Sequence, residues 1–236
     1  MFVLKLPKLT IETQYPDDTA LFVLGGRQPD AEWLKALDFQ TCVWAVDRGA
    51  DVCRAADIVP ERLIGDCDSA DEETWSEFER NGVTRTDKYP ADKDLTDFQL
   101  ALGVFAKERR GGGIFLTGCF GGRFDHLWSI VISFAKPAEY RAVGLADEKE
   151  GMIFLGGISK AVLNFEEKPQ AFSLLPLSRK CQGVCLHGTR WELDGAQLDY
   201  FEPYSISNRL DEDMCASVLL KNGLLAVYWN WKEEDK

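Results

Sequence analysis

The chain has 236 residues, 45% of them hydrophobic, and a formal net charge of −12. Its length and hydrophobic content predict one large or two small folded domains rather than a disordered chain. The acidic charge argues against binding to nucleic acid or to an anionic membrane, because both normally require a basic surface.

The cysteines and the apolar segments indicate the compartment. The seven cysteines have no dense or regular spacing, and this pattern predicts reduced thiols. No segment approaches the roughly 20 consecutive apolar residues that cross a bilayer. We therefore predict a cytoplasmic protein with no membrane and no nucleic-acid partner.

Apolar runs and helical patterns alternate after residues 1–18, which are predicted to be an N-terminal extension. Continuous apolar runs predict buried strands, and apolar residues at helical spacing predict helices between them, as at Phe98, Leu102 and Phe105. The predicted strands are Ala20–Leu24, Thr41–Val46, Leu63–Ile64, Val83–Thr86 and Ile114–Thr117. This alternation predicts an α/β domain over residues 19–140, with a mostly parallel sheet covered by helices.

From residue 141 to residue 236 the apolar runs are shorter and are interrupted by Gly, Pro and Asn. Met214–Leu220 and Leu224–Tyr228 flank Asn222-Gly223, a pair that suits a type I′ turn and predicts a hairpin. We predict that this half is an all-β sandwich domain.

The stretch LIGDCDS at residues 63–69 carries two acids at the predicted end of a strand. Asp66 and Asp68 are two positions apart, so their carboxylates point the same way in an extended segment. Such a pair at the carboxyl end of a buried strand is typical of a site for Mg²⁺ and phosphates. The alternative is local, because Ser69 and Glu72 fit a capping box for the following helix. We accept the cap for those two residues and assign the aspartates to a metal, since a cap needs only one acid.

A second polar cluster precedes the next helix. Lys93 and Thr96 suit a helix N-terminus that binds phosphate. The alternative assigns Asp94 as the N-cap and Asp97 as an acid that stabilises the first turn.

Further polar residues follow other predicted strands. Arg123 and Asp125 come after two glycines, and Asp47 follows the strand that ends at Val46. Arginine favours bidentate contacts with phosphate, and Asp125 would cap the helix or orient Arg123. Because the ends of parallel strands share one edge of a sheet, we expect these residues to converge there. The sequence contains no P-loop and no GxGxxG motif.

The motifs together resemble those of the thiamine pyrophosphokinase (thiamine diphosphokinase) family. They are, in order, D-x-G-A from Asp47, G-D-C-D-S, D-K-D-L-T-D-F, G-G-R-F-D-H, G-T-R-W-E-L and S-I-S-N-R. The resemblance implies an α/β catalytic domain, a β-sandwich thiamine-binding domain, and a homodimer with sites shared between subunits. It also implies transfer of the pyrophosphoryl group of ATP to the hydroxyl of thiamine, with Mg²⁺ and release of AMP.

The resemblance also implies residue roles. It assigns catalysis and Mg²⁺ to Asp66, Asp68 and Asp97. It assigns ATP and its phosphates to Asp47, Gly49, Lys93, Thr96, Arg123 and Asp125. It assigns thiamine to Trp191, Ser207 and Asn208, across the dimer interface. On their own, Ser207 and Asn208 indicate a β-turn and Trp191 indicates core packing.

Three residues depart from the family pattern, and three other functions stay open. Arg48 stands where the family usually has Gly, Cys67 where it has Phe, and Lys93 where many members have Gln, which favours a contact between Lys93 and phosphate. The alternatives are a pyrophosphokinase for another alcohol such as a pterin, a haloacid-dehalogenase-type phosphatase suggested by D-C-D, and a non-catalytic nucleotide- or thiamine-binding module.

Overall fold

The computed structural model describes residues 2–37, 42–136, 139–202 and 204–231. The helices are α1 (Ala31–Lys35), α2 (Gly49–Ala55), α3 (Glu72–Arg80), α4 (Asp97–Glu108) and α5 (Phe124–Ala135). The strands are β1 (Phe2–Leu6), β2 (Leu9–Thr13), β3 (Thr19–Val23), β4 (Val43–Val46), β5 (Arg62–Gly65), β6 (Arg85–Lys88), β7 (Gly113–Thr117), β8 (Arg141–Ala146), β9 (Glu150–Gly156), β10 (Ser159–Phe165), β11 (Ala171–Pro176), β12 (Lys180–His187), β13 (Leu193–Asp199), β14 (Cys215–Leu220) and β15 (Leu224–Asn230). The chain is a mixed α/β protein, as the sequence predicted.

The chain divides into two compact units. The α/β unit is Pro16–Glu148, and the β unit is Met1–Tyr15 together with Lys149–Lys236. Among the described residues, no helix is both long and apolar enough to span a membrane.

In the α/β unit the strands lie side by side in the order β8-β7-β3-β4-β5-β6, and each adjacent pair is parallel. Strands β3, β4, β5 and β7 are buried along their whole length. Strands covered on both faces are expected to be continuous apolar runs, which is why the sequence revealed them. The unit extends beyond the predicted boundary at residue 140 because β8 pairs with β7.

One predicted helix cap is wrong, and one alternative cap does not form. Helix α3 is capped by Asp71, whose carboxylate accepts a hydrogen bond from the Thr74 amide, and not by a Ser69–Glu72 box. Helix α4 is capped by Thr96 in a capping box with Gln99, and not by Asp94. In each case the true cap is followed three residues later by the residue that it pairs with.

In the β unit, the strands pair antiparallel in two sets, β1-β2-β10-β14-β12-β13 and β11-β15-β9. Residues 1–18 do not form an extension, because β1 and β2 form a hairpin that continues the first set. Leu4, Leu9 and Ile11 are buried there. Alternating apolar residues over only five positions are a weak signal, so the sequence did not reveal these strands.

The predicted hairpin around Asn222-Gly223 is also wrong, although both of its strands exist. Strand β14 pairs with β10 and β12, whereas β15 pairs with β11 and β9. The turn therefore carries the chain from one set of strands to the other. Each strand gains two neighbours in this way, which satisfies more backbone groups than an isolated pair would.

Candidate functional site

Three acids from neighbouring strands of the α/β unit converge. Asp47 follows β4, and Asp66 and Asp68 follow β5, which is parallel to β4. One carboxylate oxygen from each of the three lies within 4.8 Å of the other two. The register continues past the strand ends, since the Asp47 amide donates a hydrogen bond to the Ile64 carbonyl at 2.7 Å. The parallel pairing of β4 and β5 therefore places the three acids together.

The backbone around these acids has an unusual conformation. Asp47 and Cys67 both have positive φ, 50° and 69°, a region that residues other than glycine rarely adopt. The two strand ends also approach closely, since a Cβ added at Gly65 would lie 3.0 Å from the Asp47 Cα. Strained backbone of this kind is found most often at functional sites.

Ser69 supports the site instead of capping a helix. Its hydroxyl donates a hydrogen bond to Asp47 Oδ2. This contact could not be predicted from the sequence, because only the pairing of β4 with β5 brings Ser69 close to Asp47. Ser69 therefore orients one carboxylate of the site.

Lys93 connects the site to the start of α4. Its ammonium lies 2.7 Å from Asp66 Oδ2 and 3.2 Å from Asp97 Oδ1, and its side chain is only 14% exposed. The other oxygen of Asp66 accepts a hydrogen bond of 3.2 Å from the Asp68 amide. The structure therefore brings Asp97 to the site through Lys93, and Asp97 is not in the group of three converging acids.

The carboxylates have different pKa values for identifiable reasons. The hydrogen bond from Lys93 lowers the pKa of Asp66. Hydrogen bonding to Asp66 and the charge of that neighbour raise the pKa of Asp68. Burial raises the pKa of Asp47 and that of Asp97, although Ser69 and Lys93, respectively, partly offset the effect. Burial and neighbouring carboxylates therefore oppose ionisation at three of the four acids, and a bound cation would favour it.

The converging acids fit a hard divalent cation. Carboxylate oxygens are the ligands that Mg²⁺ prefers. Asp47 Oδ1 is buried and accepts no hydrogen bond, so it is available as a ligand. Asp97 Oδ1 is likewise buried and accepts no hydrogen bond, so it is also available as a ligand. The convergence favours Asp47, Asp66 and Asp68 as the ligand set, whereas the family resemblance implied Asp97 in place of Asp47.

Gly49, a predicted nucleotide contact, has a packing role in the structure. A Cβ at this position would lie 1.9 Å from the Val23 carbonyl oxygen, so only glycine lets α2 begin this close to β3. We expect Gly49→Ala to lower the free energy of unfolding by about 1–3 kcal/mol through overpacking.

The matched control for this substitution is Gly103→Ala in α4, where an added Cβ meets no atom within 4 Å. That change should be neutral or stabilising, because alanine is the better helix former. Urea unfolding of both variants measures the difference, and equal midpoints would contradict the packing role.

Arg123 and Asp125 lie at the start of α5, and both are exposed. Arg123 donates two hydrogen bonds to the Asp125 carboxylate, from Nε at 3.1 Å and from Nη2 at 2.5 Å. This contact lowers the pKa of Asp125. Of the two roles that the sequence left open for Asp125, the structure favours orienting Arg123.

The residues that the family resemblance assigns to thiamine binding lie in the β unit. Asn208 is buried, and its amide donates to the Trp191 carbonyl at 2.8 Å and to Thr189 Oγ1 at 3.2 Å. Ser207 has a positive φ of 57°, and its amide donates to Ser173 Oγ at 3.0 Å. Asn208 therefore holds the Trp191 segment in place.

Trp191 does not pack in the core. Its side chain is 54% exposed, and the Arg190 guanidinium lies 5.0 Å from its ring centroid. An exposed aromatic ring whose backbone is fixed by a buried asparagine suits stacking on a flat ligand.

Comparison with known proteins gives two matches in chain order. A family model described as "Thiamin pyrophosphokinase, catalytic domain" matches residues 34–142. A second, described as "Thiamin pyrophosphokinase, vitamin B1 binding domain", matches residues 160–225. The first match contains the acids and Lys93, and the second contains Trp191 and Asn208.

Solved structures have the same fold. The thiamine pyrophosphokinase of Bacillus subtilis is 23% identical, with a TM-score of 0.74 over 91% of this chain and 100% of that one. That of Geobacillus thermodenitrificans is 24% identical, with a TM-score of 0.72 over 92% and 99%. The yeast enzyme is 13% identical, with a TM-score of 0.69 over 92% of this chain and 88% of its own.

Proposed function

The chain belongs to the thiamin pyrophosphokinase family, and on that premise we propose how its residues transfer the pyrophosphoryl group of ATP to thiamine. The family match makes it a thiamine diphosphokinase, which forms thiamine diphosphate and AMP. The observation that carries the proposal is the convergence of Asp47, Asp66 and Asp68 within the region matched by the catalytic-domain model. The fold alone would not identify the reaction.

We assign Mg²⁺ to Asp47, Asp66 and Asp68. When bound, the ion would neutralise the negative charge of the ATP phosphates and of the group in transfer. The chain's contribution is a fixed ligand set, because strand pairing, Gly65 and the Ser69 hydroxyl hold these carboxylates in place. Fixed ligands reduce the reorganisation that the reaction requires.

The phosphates of ATP are assigned to basic and capping residues of the α/β unit. Lys93 offers an ammonium beside the acids, and Thr96 begins α4, whose free amides favour anions. Arg123 offers a guanidinium oriented by Asp125. These groups would hold the β-phosphorus in line with the attacking hydroxyl, since positioning and charge stabilisation supply most of the catalysis of such transfers.

Thiamine is assigned to the β unit, which we propose to be a sandwich. The exposed ring of Trp191 would stack on the substrate, and Ser207 would contact it beside Asn208. The position of these residues within the match to the vitamin B1 binding domain supports the assignment.

We further propose a cytoplasmic homodimer whose active sites are shared between subunits. The described chain has no disulfide, and all seven cysteines are free. Phe124, Trp128 and Ile132, spaced four residues apart along α5, have exposed side chains. An exposed apolar stripe of this kind favours packing against a second copy of the chain. Sedimentation should therefore show a dimer for the wild type and a monomer for Trp128→Glu, whereas a wild-type monomer would contradict the dimer.

The reaction is tested by incubating the protein with ATP, Mg²⁺ and thiamine and separating the products by chromatography. We expect equal amounts of AMP and thiamine diphosphate. Release of phosphate from simple esters without ATP would instead indicate a phosphatase, and AMP formation only with a hydroxymethyl pterin would indicate the other pyrophosphokinase. Binding of both ligands without AMP would indicate a non-catalytic module.

The role of Trp191 is tested by Trp191→Ala. We expect the KM for thiamine to rise about tenfold or more through loss of the stacking surface, with little change in the KM for ATP. Because the ring is exposed, thermal stability should hardly change. Phe201→Ala, which removes another exposed ring, is the control and should leave both KM values unchanged. An unaltered KM for thiamine in Trp191→Ala would remove this residue from the substrate site.

A further inference from the structure

Two arginines of the β unit lie directly opposite each other on paired chain segments. Thr189 and Leu210 form an antiparallel bridge. At the next position, the Arg190 amide donates a hydrogen bond of 2.9 Å to the Arg209 carbonyl. The bridged residues are buried, whereas both arginines are exposed. Because residues directly opposite each other share one face, with Cβ atoms about 4.5–5.5 Å apart, the two cationic side chains begin side by side.

Neither guanidinium is paired with a carboxylate in the described part of the chain. The Arg190 guanidinium lies 5.0 Å from the Trp191 ring centroid, and the Arg209 side chain makes no ion pair or hydrogen bond there. Carboxylates are abundant, since the chain has 39 acidic and 27 basic residues. Like charges directly opposite each other on paired segments are destabilising. The fold therefore maintains a repulsion that a bound anion would relieve.

The backbone that carries both arginines is held by one buried side chain. Asn208 is 3% exposed, and its Oδ1 accepts hydrogen bonds from the Arg209 amide at 2.8 Å and from the Trp191 amide at 3.2 Å. Its Nδ2 donates to the Trp191 carbonyl at 2.8 Å. The separation of the two arginine backbones is therefore set by the fold, and binding groups that are fixed in advance lose less entropy when a ligand binds.

A cavity of about 580 Å³ beside these arginines has charges of both signs in its lining. It is large enough for an organic ligand. Its cations are Arg190, Arg209 and Lys168, and its acids are Asp211, Glu212 and Asp213. In the residues that the structure describes, these cations form no ion pair with these acids. An anion alone would be attracted by the first group and repelled by the second, so the lining favours a ligand that has an anionic and a cationic end.

Two adjacent guanidiniums suit a diphosphate group. Arginine presents a planar fork of N–H donors that binds phosphoryl oxygens in pairs. Two such forks side by side match two phosphoryl groups that are joined by one bridging oxygen. Arg190 also lies over the Trp191 ring, to which the proposed function assigns thiamine.

We propose that Arg190 and Arg209 bind the diphosphate group of thiamine diphosphate, and that the acids of the same cavity favour its positively charged thiazolium ring. This inference rests on the proposed function, because a diphosphate joined to that organic cation is the product of the reaction. Lys168 contributes a third positive charge to the anionic end. The two arginines then distinguish the product from thiamine, which has the cation but no diphosphate.

The first test is the rate at which phenylglyoxal modifies each arginine of the wild-type chain, measured by peptide mass spectrometry in EDTA at constant ionic strength. Thiamine diphosphate should slow the modification of Arg190 and Arg209 by at least about fivefold, because a bound phosphoryl group covers their N–H donors. Arg179, an exposed arginine of the same unit, is the internal control and should react at an unchanged rate. Unchanged rates at Arg190 and Arg209, or equal slowing at Arg179, would overturn the proposal.

The second test is calorimetry of Arg209→Met with thiamine diphosphate and, separately, with thiamine. The variant should weaken the binding of thiamine diphosphate by at least about tenfold and that of thiamine by less than about twofold, because it removes charge-assisted hydrogen bonds to the phosphates alone. Arg179→Met is the matched control and should bind both ligands as the wild type does. Equal losses for the two ligands would show that Arg209 shapes the thiamine site and does not bind the diphosphate.

Neither measurement depends on catalysis, because thiamine diphosphate is supplied and ATP is absent. Protection of Arg190 and Arg209 in a protein that forms no AMP would contradict the proposed function alone. AMP formation without this protection would contradict the role of the two arginines alone.

Discussion

Asp66→Asn is expected to lower the rate of AMP formation by at least about 10²–10³-fold, the usual loss when a fixed electrostatic group of an active site is removed. Among the described residues, Asp66 both converges with Asp47 and Asp68 and accepts the hydrogen bond of Lys93. The substitution therefore weakens the proposed metal site and releases the lysine. Product analysis with ATP, Mg²⁺ and thiamine measures the loss.

The fold should survive this substitution. The pKa of Asp66 is lowered, so its ionised form stabilises the protein above its unfolded pKa, and asparagine gives up that contribution. The raised pKa values of Asp47, Asp68 and Asp97 mean that their ionisation opposes folding as the pH rises, and removing one neighbouring charge relieves them. The two effects have opposite signs at neutral pH, so the melting temperature should change little.

The control is Asp57→Asn, an exposed aspartate of the α/β unit with positive φ, a conformation that asparagine tolerates. It should retain wild-type activity. Near-normal turnover by a folded Asp66→Asn protein would refute the assignment of the site.

The main acids of the site were predictable because the strands that precede them can be recognised in the sequence. Leu63–Ile64 and Val43–Val46 are apolar on both faces, so each strand could be recognised, together with the acid that follows it. Parallel strands end at one edge of a sheet, which brings Asp47 and Asp66 together without knowledge of any side chain.

The partners of these acids were not predictable in the same way. Ser69 resembled a cap, because the sequence does not reveal whether a hydroxyl turns toward its own helix or toward a neighbouring strand. Lys93 lies just before α4, and its contact with Asp66 depends on where the helix begins. The sequence left that start open, since Asp94 and Thr96 are both good caps.

The pairing of strands in the β unit could not be predicted from the sequence either. Asn222-Gly223 predicts a hairpin from local turn chemistry alone. The observed pairing of β14 with β10 and β12 depends on residues far away in the chain. Local signals identify the strands, but competition among distant strands decides which of them pair.

Arg62→Met is expected to destabilise the protein by about 1.5–3 kcal/mol, the usual contribution of hydrogen bonds to charged groups, because the carboxylates left behind are partly exposed to solvent. Arg62 is 4% exposed and donates hydrogen bonds to both Asp87 and Glu108. Its guanidinium also lies 4.9 Å from the ring centroid of the buried Trp44. Methionine preserves much of the apolar length of the side chain, so the decrease in the free energy of unfolding reflects mainly the loss of the charge and its hydrogen bonds. The free energy of unfolding in urea at pH 7 measures it.

The matched control is Arg85→Met, which removes a largely exposed arginine that contacts the same Glu108 at 3.3 Å. Exposed pairs contribute about 0–1 kcal/mol, so this variant should stay close to the wild type. The Arg62 hydrogen bond lowers the pKa of Glu108. A carboxylate with a lowered pKa stabilises the folded protein at any pH above its unfolded pKa. This stabilisation is lost as the pH falls through the folded pKa. The difference in the free energy of unfolding between the wild type and Arg62→Met should therefore shrink as the pH falls below the ordinary pKa of glutamate. A difference below 1 kcal/mol at pH 7, or one that does not change on acidification, would show that Arg62 does not stabilise the sheet through these carboxylates.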